Sequence, residues 1–206
     1  MTAPLEVERR FSEIRQRAKS RWESLWGTGK PVLTVGTATC GLAQGASEVL
    51  STLRETGAKM GLDLEIREVG CIGHCYAEPL VTVKMPAMAP YLYGRVTPTK
   101  AELLLKYFVR DGDPFLDFAI GALEPDELMP PVRDLPRFFF ERRLILEDCG
   151  LIDPEEIDHY LARGGYSAWV RSLTMEPQQI IQELAASGLR GRGGAGFPTA
   201  RKWEAC

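Results

Sequence analysis

Between Pro31 and Val109 the apolar residues change period several times, and that succession constrains the fold more than any other feature of the chain. "PVLTVG" is a short apolar run of the kind a buried strand needs, whereas Ala46 to Met60 repeats at helical spacing. "LDLEIREVG" alternates as a strand does, and "PLVTV" and "YLYGRV" supply two more strands. Thr97 and Pro98 then open a helix, "TPTKAELLLKYFV", with Thr97 as cap and Pro98 in the first turn, where its missing N–H is no loss. The order strand, helix, strand, strand, strand, helix predicts a compact α/β sandwich.

That order is of thioredoxin type and is expected to occupy residues 1–112. Ahead of it, Phe11, Ile14, Ala18, Trp22 and Leu25 form an amphipathic stripe, ended by the run Gly27-Thr28-Gly29-Lys30-Pro31. A helix of this kind is expected to fold onto its own domain, the alternative being a docking helix for a partner subunit. Residues 113–140 read as a linker with local turns, because six positions between Asp113 and Pro136 are proline or glycine and acidic residues interrupt each apolar run. Residues 141–206 read as helical up to a glycine-rich stretch. There "DPEEIDHYLARGG" has Asp153 as N-cap, Pro154 at the first position, Glu156 closing a capping box and Gly164-Gly165 at the stop.

Charge and hydropathy narrow the class. The net charge of −3 and the lack of a basic run disfavour nucleic acid as a partner. No apolar run approaches the ~18 residues that span a bilayer, and the N-terminus lacks the apolar core of a signal peptide. A cytoplasmic protein is expected, with Cys40, Cys71, Cys75, Cys149 and Cys206 as reduced thiols better suited to metal than to a disulfide framework.

Near the C-terminus, "SGLRGRGGAGFPTARKW" packs Gly188, Gly191, Gly193, Gly194 and Gly196 among Arg190, Arg192 and Lys202. Gly191 to Gly196 satisfies G-x-G-x-x-G, yet a helix marked by Ile180, Ile181 and Leu184 precedes it where a dinucleotide fold needs a strand. A Walker loop fails as well, because no glycine stands five residues before a Lys-Ser or Lys-Thr pair. Successive glycines nevertheless let backbone N–H groups converge on an oxyanion, and the arginines and lysine add charge-assisted hydrogen bonds.

This stretch closely resembles the flavin-binding loop of the NADH-oxidising flavoprotein subunit of respiratory complex I and its relatives in NAD-linked hydrogenases and formate dehydrogenases. "CGLIDPEEIDHYLARGGYSAW" resembles the family's helical lead-in. The resemblance implies that Gly191, Arg192, Gly193, Gly194, Ala195, Gly196 and Lys202 cradle FMN beside the NADH site, with Ala200 a departure from the usual glycine. It also implies that the chain is the front part of an FMN-dependent NADH dehydrogenase working with other electron-transfer subunits. Residues 141–206 would be the start of an FMN/NADH-binding α/β domain, and the 206-residue chain by itself is not expected to oxidise NADH.

"EVGCIGHCYAEPLV" places Cys71 and Cys75 behind a strand, bracketed by Gly70, Gly73 and Pro79, and Cys40 ends a strand-loop about thirty residues earlier. Thiolates at the ends of neighbouring strands can converge on one centre, and a [2Fe-2S] cluster takes four. The pattern resembles the thioredoxin-like ferredoxin domain that accompanies the flavoprotein, whose ligands are a C-x4-C or C-x5-C pair followed by C-x3-C. The first pair keeps only Cys40, with Val35 five positions before it. Thr37, Thr39 and His74 lie nearby in sequence. Two expectations stay open: a cluster on Cys40, Cys71 and Cys75 with an unusual fourth ligand, or a cluster-free domain kept for docking. Cys149 reads as a packed thiol and His159 as a helix-surface residue.

Overall fold

The computed structural model describes residues 3–27 and 29–206. A long helix, α1 (Ala3–Gly27), leads into β1 (Val32–Gly36), the short α2 (Thr39–Ala43), α3 (Ala46–Lys59), β2 (Glu65–Val69), β3 (Val81–Lys84), β4 (Tyr91–Tyr93) and α4 (Pro98–Leu103). With β5 (Ala119–Ala122) the strands form one sheet of order β2-β1-β3-β4-β5. β1 runs parallel to β2, in register from Val32 with Glu65 to Gly36 with Val69, and antiparallel to β3. β4 and β5 continue antiparallel. A parallel pair joined through a helix and extended by an antiparallel hairpin is the thioredoxin-type arrangement that the element order predicts.

β1 is buried along its whole length, because both faces of the sheet centre are covered, and so it shows no polar alternation. On one face Leu33 and Val35 meet Val49 and Leu53 of α3 and Leu104, Leu105 and Phe108 beyond α4. Each such side chain contributes about 1.5–3 kcal/mol when fully buried. α4 is capped as expected, with the Thr97 hydroxyl accepting from the Lys100 amide at 3.3 Å. It runs on without a break as a wider π-helical stretch to Arg110.

The opposite face is closed by the segment read as a linker. β5 pairs with β4, and Val132 joins Ala77, Leu80 and Leu92 in a second apolar cluster, with Ile120, Leu135 and Phe138 of α5 (Pro136–Phe139) against it. The prolines and glycines that suggested a linker here serve close backbone approach: a Cβ on Gly121 would stand 2.8 Å from the Pro130 carbonyl oxygen.

α1 begins well before the stripe that announced it and lies on its own chain. Ala18 is fully buried, Arg21 pairs with Asp158, and Trp22 packs edge-on to His159 with centroids 4.9 Å apart. The Arg67 guanidinium lies 5.1 Å above the Trp26 ring. Thr28, in the run expected to end the helix, lies outside the described residues. α6 (Ile157–Ala162) starts later than expected: Glu156 is its N-cap, and Asp153 accepts from the Glu155 amide instead, in a turn before the helix. His159 is not a surface residue. It is 6% exposed, and its Nδ1 accepts the Asp153 amide at 3.0 Å, so it satisfies the turn that the tryptophan covers. Burial lowers its pKa from the usual histidine value. α7 (Ser167–Ser172), α8 (Pro177–Ala186) and α9 (Thr199–Glu204) complete the chain. Among the described residues no helix is long and apolar enough to cross a membrane.

Candidate metal centre and glycine loop

The parallel pairing of β1 and β2 brings their C-terminal ends side by side, and β3, antiparallel to β1, starts at the same edge. The cysteines sit on the loops leaving that edge. The Gly36 amide donates to the Leu80 carbonyl at 3.0 Å and the Thr37 amide to the Val69 carbonyl at 3.1 Å, tying the three strand ends together. Cys40 lies in the first turn of α2, and Gly41 beside it rests on the end of β1: a Cβ there would overlap the Gly36 carbonyl oxygen. Only a glycine lets the short helix sit so close, and that closeness carries Cys40 inward.

Cys71 leaves β2 after Gly70, and Gly73, at φ +87°, turns the chain so that its amide donates to the Cys71 sulfur at 3.2 Å. Cys75 opens a 3-10 turn, Cys75–Ala77. The Sγ atoms of Cys40, Cys71 and Cys75 lie within 4.8 Å of one another, with Cys71 and Cys75 at 3.6 Å. Spacing of this order suits a group of thiolates on one metal centre. Burial pushes the Cys71 thiol up to about 12; the Gly73 amide opposes the rise, and Cys40 and Cys75 add to it. Removing the proton there therefore calls for a positive partner, which a bound metal supplies.

The residues considered as substitutes for the missing thiolate are placed otherwise. The His74 ring is 1% exposed and stacks on Phe138 with centroids 3.8 Å apart. Its Nδ1 shares a hydrogen bond with the Tyr76 hydroxyl at 3.1 Å, and its Nε2 is buried with no hydrogen-bond partner among the described residues. Thr37 contributes its backbone amide to the strand ends. Val35 faces the first core, fully buried.

One group at the edge carries no sulfur. Glu78, 4% exposed, accepts from the Leu80 amide through Oε2 at 2.8 Å and from the Cys40 thiol through Oε1 at 3.8 Å. Burial pushes its carboxyl above the usual value, and the Leu80 amide and the thiols of Cys40 and Cys71 pull it back. Among the described residues no lysine or arginine adds to that pull. Its sequence signal was slight: an acidic residue three positions beyond the second cysteine of the C-x3-C pair.

The glycine loop is built differently. It joins α8 to α9 with no strand on either side, so it is not part of a βαβ unit. Gly191 donates to the Phe197 carbonyl at 2.9 Å and Thr199 to the Leu189 carbonyl at 3.0 Å, which closes the loop into a narrow hairpin. Arg190 and Arg192 brace it by donating to the carbonyls of Gly196, at 3.1 Å, and Arg190, at 2.9 Å. Gly194 (φ +116°) and Gly196 (φ +60°) take left-handed backbone, and nothing lies within 4 Å of a Cβ built on Gly193, Gly194 or Gly196. The Lys202 ammonium is 3.5 Å from the Cβ position of Gly191. Such a bare backbone face with a cation at its rim fits a phosphate. Arg192, Gly193, Gly194 and Ala195 are all exposed.

No family model matches the chain. The NADP-reducing hydrogenase subunit HndC of Solidesulfovibrio fructosivorans is 52% identical over 61 residues, which are 30% of this chain and 12% of that protein. An NADH-quinone oxidoreductase subunit of Aquifex aeolicus is 44% identical over 72 residues, 34% of this chain and 17% of its own length. The chain therefore spans well under a fifth of the length of these two relatives. The NADP-reducing hydrogenase subunit HndB of Solidesulfovibrio fructosivorans is 33% identical over 87 residues, 42% of this chain and 69% of that protein. A solved thioredoxin-like [2Fe-2S] ferredoxin from Aquifex aeolicus aligns over 48% of this chain and 98% of its own, at TM-score 0.40 and 18% identity. With HndB, at 33% identity, matched over 69% of its length, the chain belongs to the family of that hydrogenase subunit, and HndC and the NADH-quinone oxidoreductase chain share shorter stretches with it.

Proposed function

We propose that this chain forms the N-terminal part of an NAD(P)H-oxidising iron–sulfur flavoprotein that works within a multisubunit oxidoreductase. In this reading residues 1–112 hold a [2Fe-2S] cluster through Cys40, Cys71 and Cys75, and residues 141–206 open the FMN- and NADH-binding domain. Gly191, Arg192, Gly193, Gly194, Ala195, Gly196 and Lys202 hold the FMN phosphate, the backbone amides and the Lys202 ammonium meeting its charge. FMN, when bound, takes up the two electrons of one hydride and releases them singly, and the protein supplies position and electrostatics. The observation that carries this is the convergence of three thiols at one sheet edge. Relatives are named for NADH and for NADP, so the nicotinamide partner is taken as the class, with NADH the first to test.

The test is anaerobic reconstitution with ferric iron and sulfide, read as bound iron, sulfide and visible absorbance. A brown chain with an electron paramagnetic signal on reduction is expected, together with no NADH oxidation by the 206 residues alone, since a loop without the rest of a pocket cannot hold flavin and nicotinamide in register. A colourless chain would overturn the cluster, and steady NADH turnover would overturn the incomplete flavin site. The second reading, a docking module without a cluster, rests on the apolar run Phe139, Phe140, Leu144 and Ile145, which lies 67–94% exposed. It predicts a colourless chain that captures a partner subunit.

A further inference from the structure

The geometry points to the Glu78 carboxylate as the fourth ligand of the centre on Cys40, Cys71 and Cys75, sharing one iron with Cys40 while Cys71 and Cys75 share the other. The inference rests on the cluster reading above and adds the donor that reading lacks.

Two pairs of donor atoms stand at the edge. Cys71 and Cys75 sulfurs are 3.6 Å apart, and Cys40 Sγ is 3.8 Å from Glu78 Oε1. Two donors on one tetrahedral metal with bonds of about 2.0–2.3 Å stand about 3.3–3.8 Å apart. Both pairs therefore already have the spacing of ligands on a common metal.

The orientation of the carboxylate agrees. Oε2 is held by the Leu80 amide at 2.8 Å, which fixes the group and leaves Oε1 toward the sulfurs. A buried carboxylate is costly unless it is paired or bound to metal. Glu78 is 4% exposed, and what surrounds its oxygens is a backbone amide and a thiol, neither of them a cation. Iron would supply the missing charge.

Val35, where the resembled pattern has its first cysteine, faces the first core, so β1 sends no donor to this edge from that position. Glu78 lies against the end of the strand instead: a Cβ on Gly36 would stand 3.0 Å from Oε2 and 3.3 Å from Oε1. A carboxylate carries the same single negative charge as the thiolate it replaces, so the net charge of the centre is unchanged. On assembly from ferric iron and sulfide each of the three thiols releases one proton, Glu78 binds as its carboxylate, and no oxidant or reductant is consumed. Oxygen is a harder donor than sulfur, which makes the two irons unequal.

The experiment reconstitutes the 206-residue chain anaerobically with isotopically enriched ferric iron and sulfide and records Mössbauer spectra of the oxidised form, alongside Glu78→Gln and Glu78→Cys. The wild-type chain is expected to give two distinct iron doublets, one all-sulfur and one with an oxygen donor. Glu78→Cys should merge them and keep its iron. Glu78→Gln preserves the acceptor for the Leu80 amide and should hold iron about tenfold or more weakly against a chelator. Should Glu78→Gln fail to fold, the wild-type and Glu78→Cys spectra decide. Bound cluster with two equal doublets in the wild type, or a Glu78→Gln spectrum identical to it, overturns the carboxylate ligand and leaves the cluster. A wild-type chain that takes up no iron and sulfide, or accepts zinc alone, overturns both.

Discussion

The sulfur-lined sheet edge and the glycine loop are two sites made in opposite ways. At the edge, side chains do the work on a rigid backbone: strand ends locked by amide bonds at 3.0 and 3.1 Å bring three thiols and a carboxylate together from four sequence positions. In the loop the backbone does the work, and side chains are cleared away or spent on bracing, as Arg190 and Arg192 are. The edge lies beside a core holding Leu33, Val81 and Tyr91, whereas most of the loop is exposed between two short helices. The difference teaches what each chemistry demands. Metal ligation tolerates errors of only a few tenths of an ångström, so it needs core strands behind it. An oxyanion cradle needs open N–H groups and left-handed backbone, which a local hairpin of glycines can provide.

If that contrast is right, substitutions at the edge act through ligand atoms and packing, and those in the loop through φ. The largest expected effect is at Cys71. Cys71→Ser should remove or profoundly alter the reduced-state electron paramagnetic signal and the bound iron, while the far-ultraviolet dichroism of the chain stays as it was. Unchanged iron content would mean that the thiols pack rather than ligate.

Gly41→Ala comes next. Its Cβ would overlap the Gly36 carbonyl, so α2 must lift from the strand end, at a cost of about 1–3 kcal/mol in urea unfolding. Because Cys40 is the adjacent residue, iron binding should weaken as well. A fully stable, fully loaded Gly41→Ala chain would break the link between that close approach and the centre.

The loop is tested by a pair. Gly194, at φ +116°, has open space around it, so Gly194→Val is expected to fail through backbone strain of about 1–3 kcal/mol that reshapes the hairpin. In the longer flavoprotein that the proposed function calls for, the variant should purify without FMN. Gly193 has equal space and no left-handed φ, so Gly193→Ala should keep the loop shape, as judged by chemical shifts of its amides. Equal damage from both would show that space, not φ, governs the loop.

The smallest effect is expected at Val35. Although Val35→Cys places a thiol five residues before Cys40, the side chain faces the core, away from the edge, so iron content should not rise and stability should fall by less than about 1.5 kcal/mol. A gain of iron would mean that β1 can rotate its face, contrary to the parallel register with β2.

How much of this could be read from sequence divides along the same line. β1 to β4, α3 and the capped start of α4 were legible because each follows from a local period or a capping pair, and the glycine loop was legible because its φ demands are met by residue type alone. The segment 113–140 was not, since Gly121 and its neighbouring prolines look the same in a linker as in a tight crossing against Pro130. His159 looked like a surface residue because nothing near it in sequence announces that Trp22, far earlier in the chain, covers it.

By itself, then, the sequence determined the element order from β1 to α4 apart from the short α2, the cysteine spacing and the glycine-rich loop, all of which depend on interactions among residues a few positions apart. Which side chains meet at the sheet edge was decided only by the tertiary structure. The parallel register of β1 and β2 aligns Gly36 with Val69, so that Cys40 and Cys71 leave the sheet together, and the start of β3 delivers Glu78 between them. A carboxylate becomes a metal-ligand candidate only once it is buried and aimed, and burial is a property of how the strands stack, not of the few letters around it.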